Sequence, residues 1–191
     1  MGRDLEPERI GHIGEQQFQL LCAQADLICN KTTVDVMGWD FLVEFPVEHF
    51  GNGVALDQQQ AKAVRVQLKS TVGRTNSRVR LSLSAVDRLA KDAHPSVIVV
   101  FRISQEGKFQ SGYLVHLIGD ELAKVLKRLR LAEANEAYDI NKADVSYDYE
   151  KLGTRFEPTA EGLLEALTSI CRVDSAAYTI EKQRQLAELG Y

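Results

Sequence analysis

Six consecutive residues, Val64-Arg65-Val66-Gln67-Leu68-Lys69, alternate apolar and polar without a break. A period of two belongs to a half-buried strand, because successive side chains of an extended chain point to opposite faces. The pattern sets Arg65, Gln67 and Lys69 on one face. Residues 78–83 alternate again. So do residues 39–45, with Trp39, Phe41 and Val43 one way and Asp40, Leu42 and Glu44 the other. Pro46 ends that strand. Two apolar stretches, 97–103 and 113–118, joined through Gln105-Glu106-Gly107, read as a hairpin with a bulged loop.

Helical spacing frames these strands. Ile10, Gly14, Phe18, Leu21, Cys22 and Ala25 recur at three- and four-residue intervals, a stripe on a helix over 7–25 with Pro7 in its first turn. Glu15 falls at the edge of the stripe, where its carboxylate can reach whatever the helix packs against. Ser84-Ala85-Val86-Asp87 fits a capping box that opens a short helix ending before His94-Pro95. Gly119-Asp120 caps a helix running to residue 134. Residues 133–157 are acidic and weakly periodic, with Tyr138, Tyr147, Tyr149 and Phe156 interleaved. Helices over 159–171 and 176–189 follow, the last so thinly apolar that its inward face calls for a partner or a further stretch of chain. These elements predict an α/β or α+β domain with a mixed sheet of about five strands flanked by helices. Residues 1–134 form its core. Residues 135–191 are an acidic segment and C-terminal helices that pack on the core or on a partner.

Composition narrows the function classes. A chain of 191 residues, 45% hydrophobic and 26% charged, buries a real core without staples. Apolar runs of about five residues fall far short of the roughly 20 that span a bilayer, and the N-terminus has no apolar signal segment. Cys22, Cys29 and Cys171 include no CxxC, which disfavours disulfide frameworks and zinc ribbons and suits a reducing cytoplasm. There is no P-loop, GxGxxG, GxSxG, HxH or HExxH, so NTPase, dinucleotide, serine-hydrolase and histidine-zinc chemistries are disfavoured. The net charge of −4 hides an asymmetry. Residues 58–86 contain no Asp or Glu but hold Lys62, Arg65, Lys69, Arg74, Arg78 and Arg80. Such a stripe suits a polyanionic partner; a solvated strand edge carries the same residues.

Three pieces combine into a chemical constellation: Gly14-Glu15 on the helix, Asp40 opening one strand, and Gln67-Leu68-Lys69-Ser70 on the next. An acid on one strand followed, after an insertion, by acid-or-Gln, x, Lys on its neighbour resembles the PD-(D/E)xK nuclease superfamily in its Mrr-like QxK form. The wider frame adds an Asp35/Asp40 pair and a following apolar hairpin, and is similar to the bacterial domain of unknown function 4365 over roughly residues 8–118. Asp35 is the competing choice for the motif's acid; Asp40 is preferred because it opens the alternating strand. The resemblance implies a restriction-endonuclease-like core and a metal-dependent endonuclease acting on double-stranded DNA, in bacterial defence or DNA processing. It also implies a cytoplasmic homodimer or a component of a larger defence complex, away from membranes. Mg²⁺ (or Mn²⁺) would be held by Asp40, by the Gln67 carbonyl and by Glu15. Lys69 would orient the attacking water and stabilise developing charge. Lys62, Arg65, Ser70, Arg74, Arg78 and Arg80 would contact the nucleic acid. Gln67 in place of an acid removes one negative charge from the site, and Glu44, on the same predicted face as Asp40, is placed to compensate. The same residues fit a catalytically inactive nucleic-acid-binding or assembly module of this fold, or an RNA-directed nuclease.

Overall fold

The computed structural model describes residues 6–33, 38–46, 62–72, 76–134, 139–171 and 175–190. The chain runs α1 (Pro7–Gln24), β1 (Ile28–Lys31), β2 (Phe41–Glu44), β3 (Ala63–Val72), β4 (Arg78–Ser82), α2 (Leu83–Lys91), β5 (Ser96–Ile103) and β6 (Phe109–His116). It continues with α3 (Asp120–Glu133), β7 (Asp144–Asp148), α4 (Tyr149–Leu152), β8 (Thr154–Phe156), α5 (Ala160–Ile170) and α6 (Ser175–Glu188). Six strands form a mixed sheet in the order β1-β2-β3-β5-β6-β8, and β4 pairs with β7 in a second, two-stranded sheet. All junctions of the large sheet are antiparallel except β3–β5. No helix among the described residues is long and apolar enough to cross a membrane.

The mixed α/β architecture matches the expectation, but with six strands in the main sheet and a second sheet beside it. β1, β7 and β8 lie outside the predicted order. β1 presents only exposed or half-exposed side chains, so no apolar period marks it. β7 is an alternating Val145/Tyr147 strand inside the acidic stretch, and both side chains are buried.

A parallel strand pair is normally covered on both faces, and β5 is buried along nearly its whole length. Val97, Val99 and Phe101 pack with Phe18 of α1 and Leu163 and Leu167 of α5. Ile98 and Val100 pack on the opposite face with Val86 and Leu89 of α2 and Val125 of α3. Helix α1 approaches β3 closely because residue 14 is glycine: a Cβ there would lie 1.8 Å from Ser70 Oγ. Helix α2 starts earlier than the predicted capping box. Ser82, not Ser84, is its N-cap, accepting from Ala85 N at 3.3 Å. Leu83 is buried and its amide donates to Ala143 O at 2.7 Å, which turns the chain into the helix at that point.

The C-terminal segment is threaded into both sheets, β7 against β4 and β8 against β6. Lys124 and Arg128 of α3 donate to Ser146 O and Asp144 O, so these two cations tie α3 to β7. The inward face of α6 finds its partner in the chain's own core. Tyr178, Lys182 and Leu186 recur at four-residue spacing and are all buried. Lys182 is fully buried, and its ammonium donates to Leu89 O and His94 O (both 3.2 Å) and Ser96 Oγ (3.4 Å).

Burial pulls the Lys182 ammonium down to about 8 from its ordinary 10.5, with Asp92 opposing the shift. Between those values the unfolded chain holds a proton that the native protein has released, so this group's contribution to stability rises with pH across the window. Lys182→Met keeps the aliphatic stem and removes the titration. The unfolding free energy of the wild type minus that of Lys182→Met should therefore increase from pH 8 to pH 10.5 in denaturant titrations. A flat difference would mean that burial does not lower the Lys182 ammonium.

Candidate active site

β2 begins only at Phe41, so the amide of Leu68 on β3 has no strand partner at that level. Asp40 takes the place of the missing ladder. Its backbone N donates to Val66 O at 2.9 Å, and its Oδ2 accepts from Leu68 N and from Gln67 Nε2, both at 2.7 Å. From the other side Thr32 N donates to Asp40 O at 2.9 Å, and Thr32 Oγ1 donates to Trp39 O at 2.9 Å. Gly38 has φ +78°, and a Cβ there would lie 2.5 Å from Ala85 O. The chain therefore enters β2 pressed against α2, which only glycine permits at this position.

Glu15, Asp40, Gln67 and Lys69 line one cleft of about 350 Å³. Lys31 and Thr32 of the β1 end close one side, and Ser82 and Ala85 at the start of α2 close another. Glu15 reaches the cleft because Gly14 lets α1 sit directly on β3. Its Oε2 is paired with Lys31 Nζ at 2.6 Å. The Asp40 carboxyl is pushed above its usual range, mainly by burial and further by the charge of Glu15. The Leu68 amide, the Lys69 ammonium and the Gln67 amide oppose that shift. Two carboxylates and two ammoniums thus share a small, partly dehydrated space.

The donor set suits a hard divalent cation. Gln67 turns its NH₂ to Asp40, which leaves its carbonyl oxygen as an acceptor. Asp40 Oδ1 accepts no hydrogen bond from the described residues, and Glu15 supplies a second carboxylate to the same cleft. Mg²⁺ is commonly held by one or two carboxylates with water and substrate oxygens completing its octahedron. Among the described residues no three His, Cys, Asp or Glu side chains cluster.

The other predicted contacts scatter. Arg65 shares a strand face with Gln67 but pairs with Asp92 at 3.3 Å and stacks on Trp39 at 4.5 Å, so it is committed within the fold. Trp39 packs on the α2 side of the sheet rather than with Phe41 and Val43, because the pleat that aligns alternate residues begins only at Phe41. Lys62 lies just before β3, at the opposite end of the strand from Lys69, about 23 Å along an extended chain. Ser70 Oγ is buried against Gly14 with no hydrogen-bond partner, which removes it as a phosphate donor. Arg78 and Arg80 are exposed on β4, whose last residues, Leu81 and Ser82, line the cleft. Glu44 accepts from Asn30 at 2.9 Å on the exposed side and is not among the cleft residues. Arg74 and Asp35 lie outside the described residues. Sequence reasoning missed Leu81, Ser82 and Ala85 as cleft residues, and also Lys31, Thr32 and Thr33, whose only signal is the polar run Asn30-Lys31-Thr32-Thr33.

A larger cavity of about 610 Å³ lies between α6, the end of α5 and β6. It contains His116, whose Nε2 is 2.9 Å from the Tyr178 hydroxyl. Burial, with help from Lys182, lowers this imidazole to about 4 and keeps it neutral at physiological pH. Among the described residues no lysine or arginine joins the acids that line that cavity.

Asp40 Oδ2 alone accepts both cleft hydrogen bonds, so the single amide oxygen of Asp40→Asn can keep them. A carboxyl raised by folding adds stability below its ordinary value of 3.8 and loses that contribution as pH rises through the higher native value. The stability of Asp40→Asn relative to the wild type should therefore grow as pH rises from 3.8 to neutrality. Parallel pH profiles of the two proteins would show the carboxylate to be solvated like that of a free aspartate.

No family model matches the chain, and no curated protein matches it at a significant level.

Proposed function

We propose that the protein is a metal-dependent endonuclease that hydrolyses phosphodiester bonds in DNA at the Glu15/Asp40/Gln67/Lys69 cleft. The observation that carries this reading is the convergence of these four side chains, from three separate elements, on one cleft of about 350 Å³. Asp40, Glu15 and the Gln67 carbonyl would hold a divalent ion, which would supply charge neutralisation at the phosphate and acidify a bound water.

The residues divide the remaining work. Leu68 N and Gln67 Nε2 fix Asp40 through one oxygen, so the carboxylate is oriented before any ligand arrives. Lys69 follows Gln67 by two residues on the same strand face, about 7 Å further along. There it offsets charge that develops on the attacked phosphate and orients the incoming water. Burial of the cleft strengthens each of these electrostatic interactions relative to water. Arg78 and Arg80, exposed on the strand that leads to the cleft, supply phosphate contacts along the nucleic acid. Duplex DNA in bacterial defence or DNA processing is the setting implied by the resemblance of the Glu15, Asp40 and QxK pieces to the PD-(D/E)xK superfamily.

Cleavage of plasmid, linear and single-stranded DNA and of RNA, with Mg²⁺ or Mn²⁺ against chelator, tests the reading. Lys69→Ala should lower metal-dependent cleavage about 10²- to 10³-fold, as expected for loss of one positioned electrostatic stabiliser. Asp40→Asn, purified identically, should abolish it. Equal cleavage by wild type and Asp40→Asn would remove the cleft from the reaction. DNA binding with no cleavage by the wild type or by Gln67→Glu, which restores the acid common to the motif, would leave a non-catalytic binding module.

Binding is separable from catalysis. Replacing Arg78 and Arg80 together by Ala should flatten the log–log salt dependence of DNA affinity by nearly 2, about 0.9 per phosphate contact. An unchanged slope would return these arginines to the role of a solvated strand face.

A further inference from the structure

Lys31 lies outside the residues that the nuclease motif names, yet its Nζ sits 2.6 Å from Glu15 Oε2 inside the cleft. Glu15 and Asp40 are the only carboxylates among the described cleft residues, and Lys31 and Lys69 the only ammoniums. Lys69 acts on Asp40, and Lys31 pairs with Glu15, so each acid has its own counter-charge. Any cation that uses Glu15 must compete with Lys31 for the same carboxylate. The competition is mild. Lys31 ends an edge strand, its side chain is 47% exposed, and such pairs contribute about 0.2–1 kcal/mol.

On the nuclease reading above, we propose that Lys31 is the resident counter-ion of Glu15 and that it exchanges this carboxylate for a substrate phosphate when a divalent metal binds. The charges balance only if Lys31 stays in the cleft. With both lysines protonated the four charged side chains sum to zero. A divalent cation and the doubly negative, attacked phosphodiester then leave the whole assembly neutral. Removing Lys31 would leave one negative charge in excess, which favours the metal and repels the phosphate. An ammonium on a long flexible stem suits this exchange, since it binds phosphate as a point charge without a fixed fork geometry.

The experiment uses the full chain and two readouts that do not require turnover. Mn²⁺ affinity without nucleic acid is measured by calorimetry for the wild type, Lys31→Met and Asp40→Ala. Lys31→Met should bind Mn²⁺ roughly 1.4- to 5-fold more tightly, the size of the lost competition. Affinity for a duplex oligonucleotide is then measured against salt. In Ca²⁺, Lys31→Met should show a log–log slope shallower by about 0.9 than the wild type. In chelator the two slopes should coincide, because Lys31 is then engaged with Glu15. Unchanged or weaker Mn²⁺ binding by Lys31→Met, or equal slopes in Ca²⁺, overturns the exchange. If Asp40→Ala weakens Mn²⁺ binding while Lys31→Met changes neither readout, only the role of Lys31 falls. If Asp40→Ala binds Mn²⁺ as the wild type does, the metal-site reading falls and the exchange with it.

Discussion

The parallel pairing of β3 with β5 is the constraint on which the rest of the molecule depends. Eight residues of β3, Arg65 to Val72, are in register with Ser96 to Ile103. A parallel pair cannot be closed by a tight turn, so the chain must leave the sheet and return. Here β4 and α2 occupy that excursion, and they bring the start of α2 back over the face of β3 that carries Gln67 and Lys69. Because both faces of the pair must be covered, α1 and α5 are recruited to one side and α2, α3 and α6 to the other. The cleft forms where this coverage stops, just before the start of β2.

At that boundary one side chain serves two purposes. The Leu68 amide would be a buried unpaired donor without Asp40, and such a group costs about 1–3 kcal/mol. The carboxylate that satisfies it is itself partly dehydrated and stands near Glu15, so it holds its proton more tightly than a free aspartate. Perturbed carboxyl groups in clefts are a common mark of functional sites, although structural networks produce them too. Gln67, Lys69 and a second acid, Glu15, stand beside Asp40 in the same cleft.

The buried Lys182 follows the same physics with the sign reversed. An ammonium removed from water is retained because three oxygens at the end of α2 and the start of β5 accept from it. That contact gives α6 an anchor that its sparse apolar residues do not supply. Asp92, which favours the charge of Lys182, also pairs with Arg65, and Arg65 stacks on Trp39 beside Asp40. The packing of α6 and the entry to the cleft therefore share a contiguous set of charged and aromatic contacts.

Local sequence pattern located α1, β2 to β6, α2, α3, α5 and α6, through periodicity in α1 and β2 to β4, apolar runs in β5 and β6, and capping residues at α2 and α3. It also placed Gln67 and Lys69 on a common face, since pleating is a local property of the extended chain. It could not show β1 or β8, which are short and lean on neighbours rather than on their own apolar pattern. It could not show that α6 docks through a lysine, because a buried charge looks like a solvated one until its acceptors are known. Nor could it separate the basic residues of 58–86 that face the cleft from those paired elsewhere, or show that the Ser70 hydroxyl is lost beneath a helix. Strand spacing is written in consecutive residues. Which carboxylate meets which ammonium across 16 residues of sequence, as Glu15 meets Lys31, is decided only when packing sets α1 and the end of β1 on either side of one cleft.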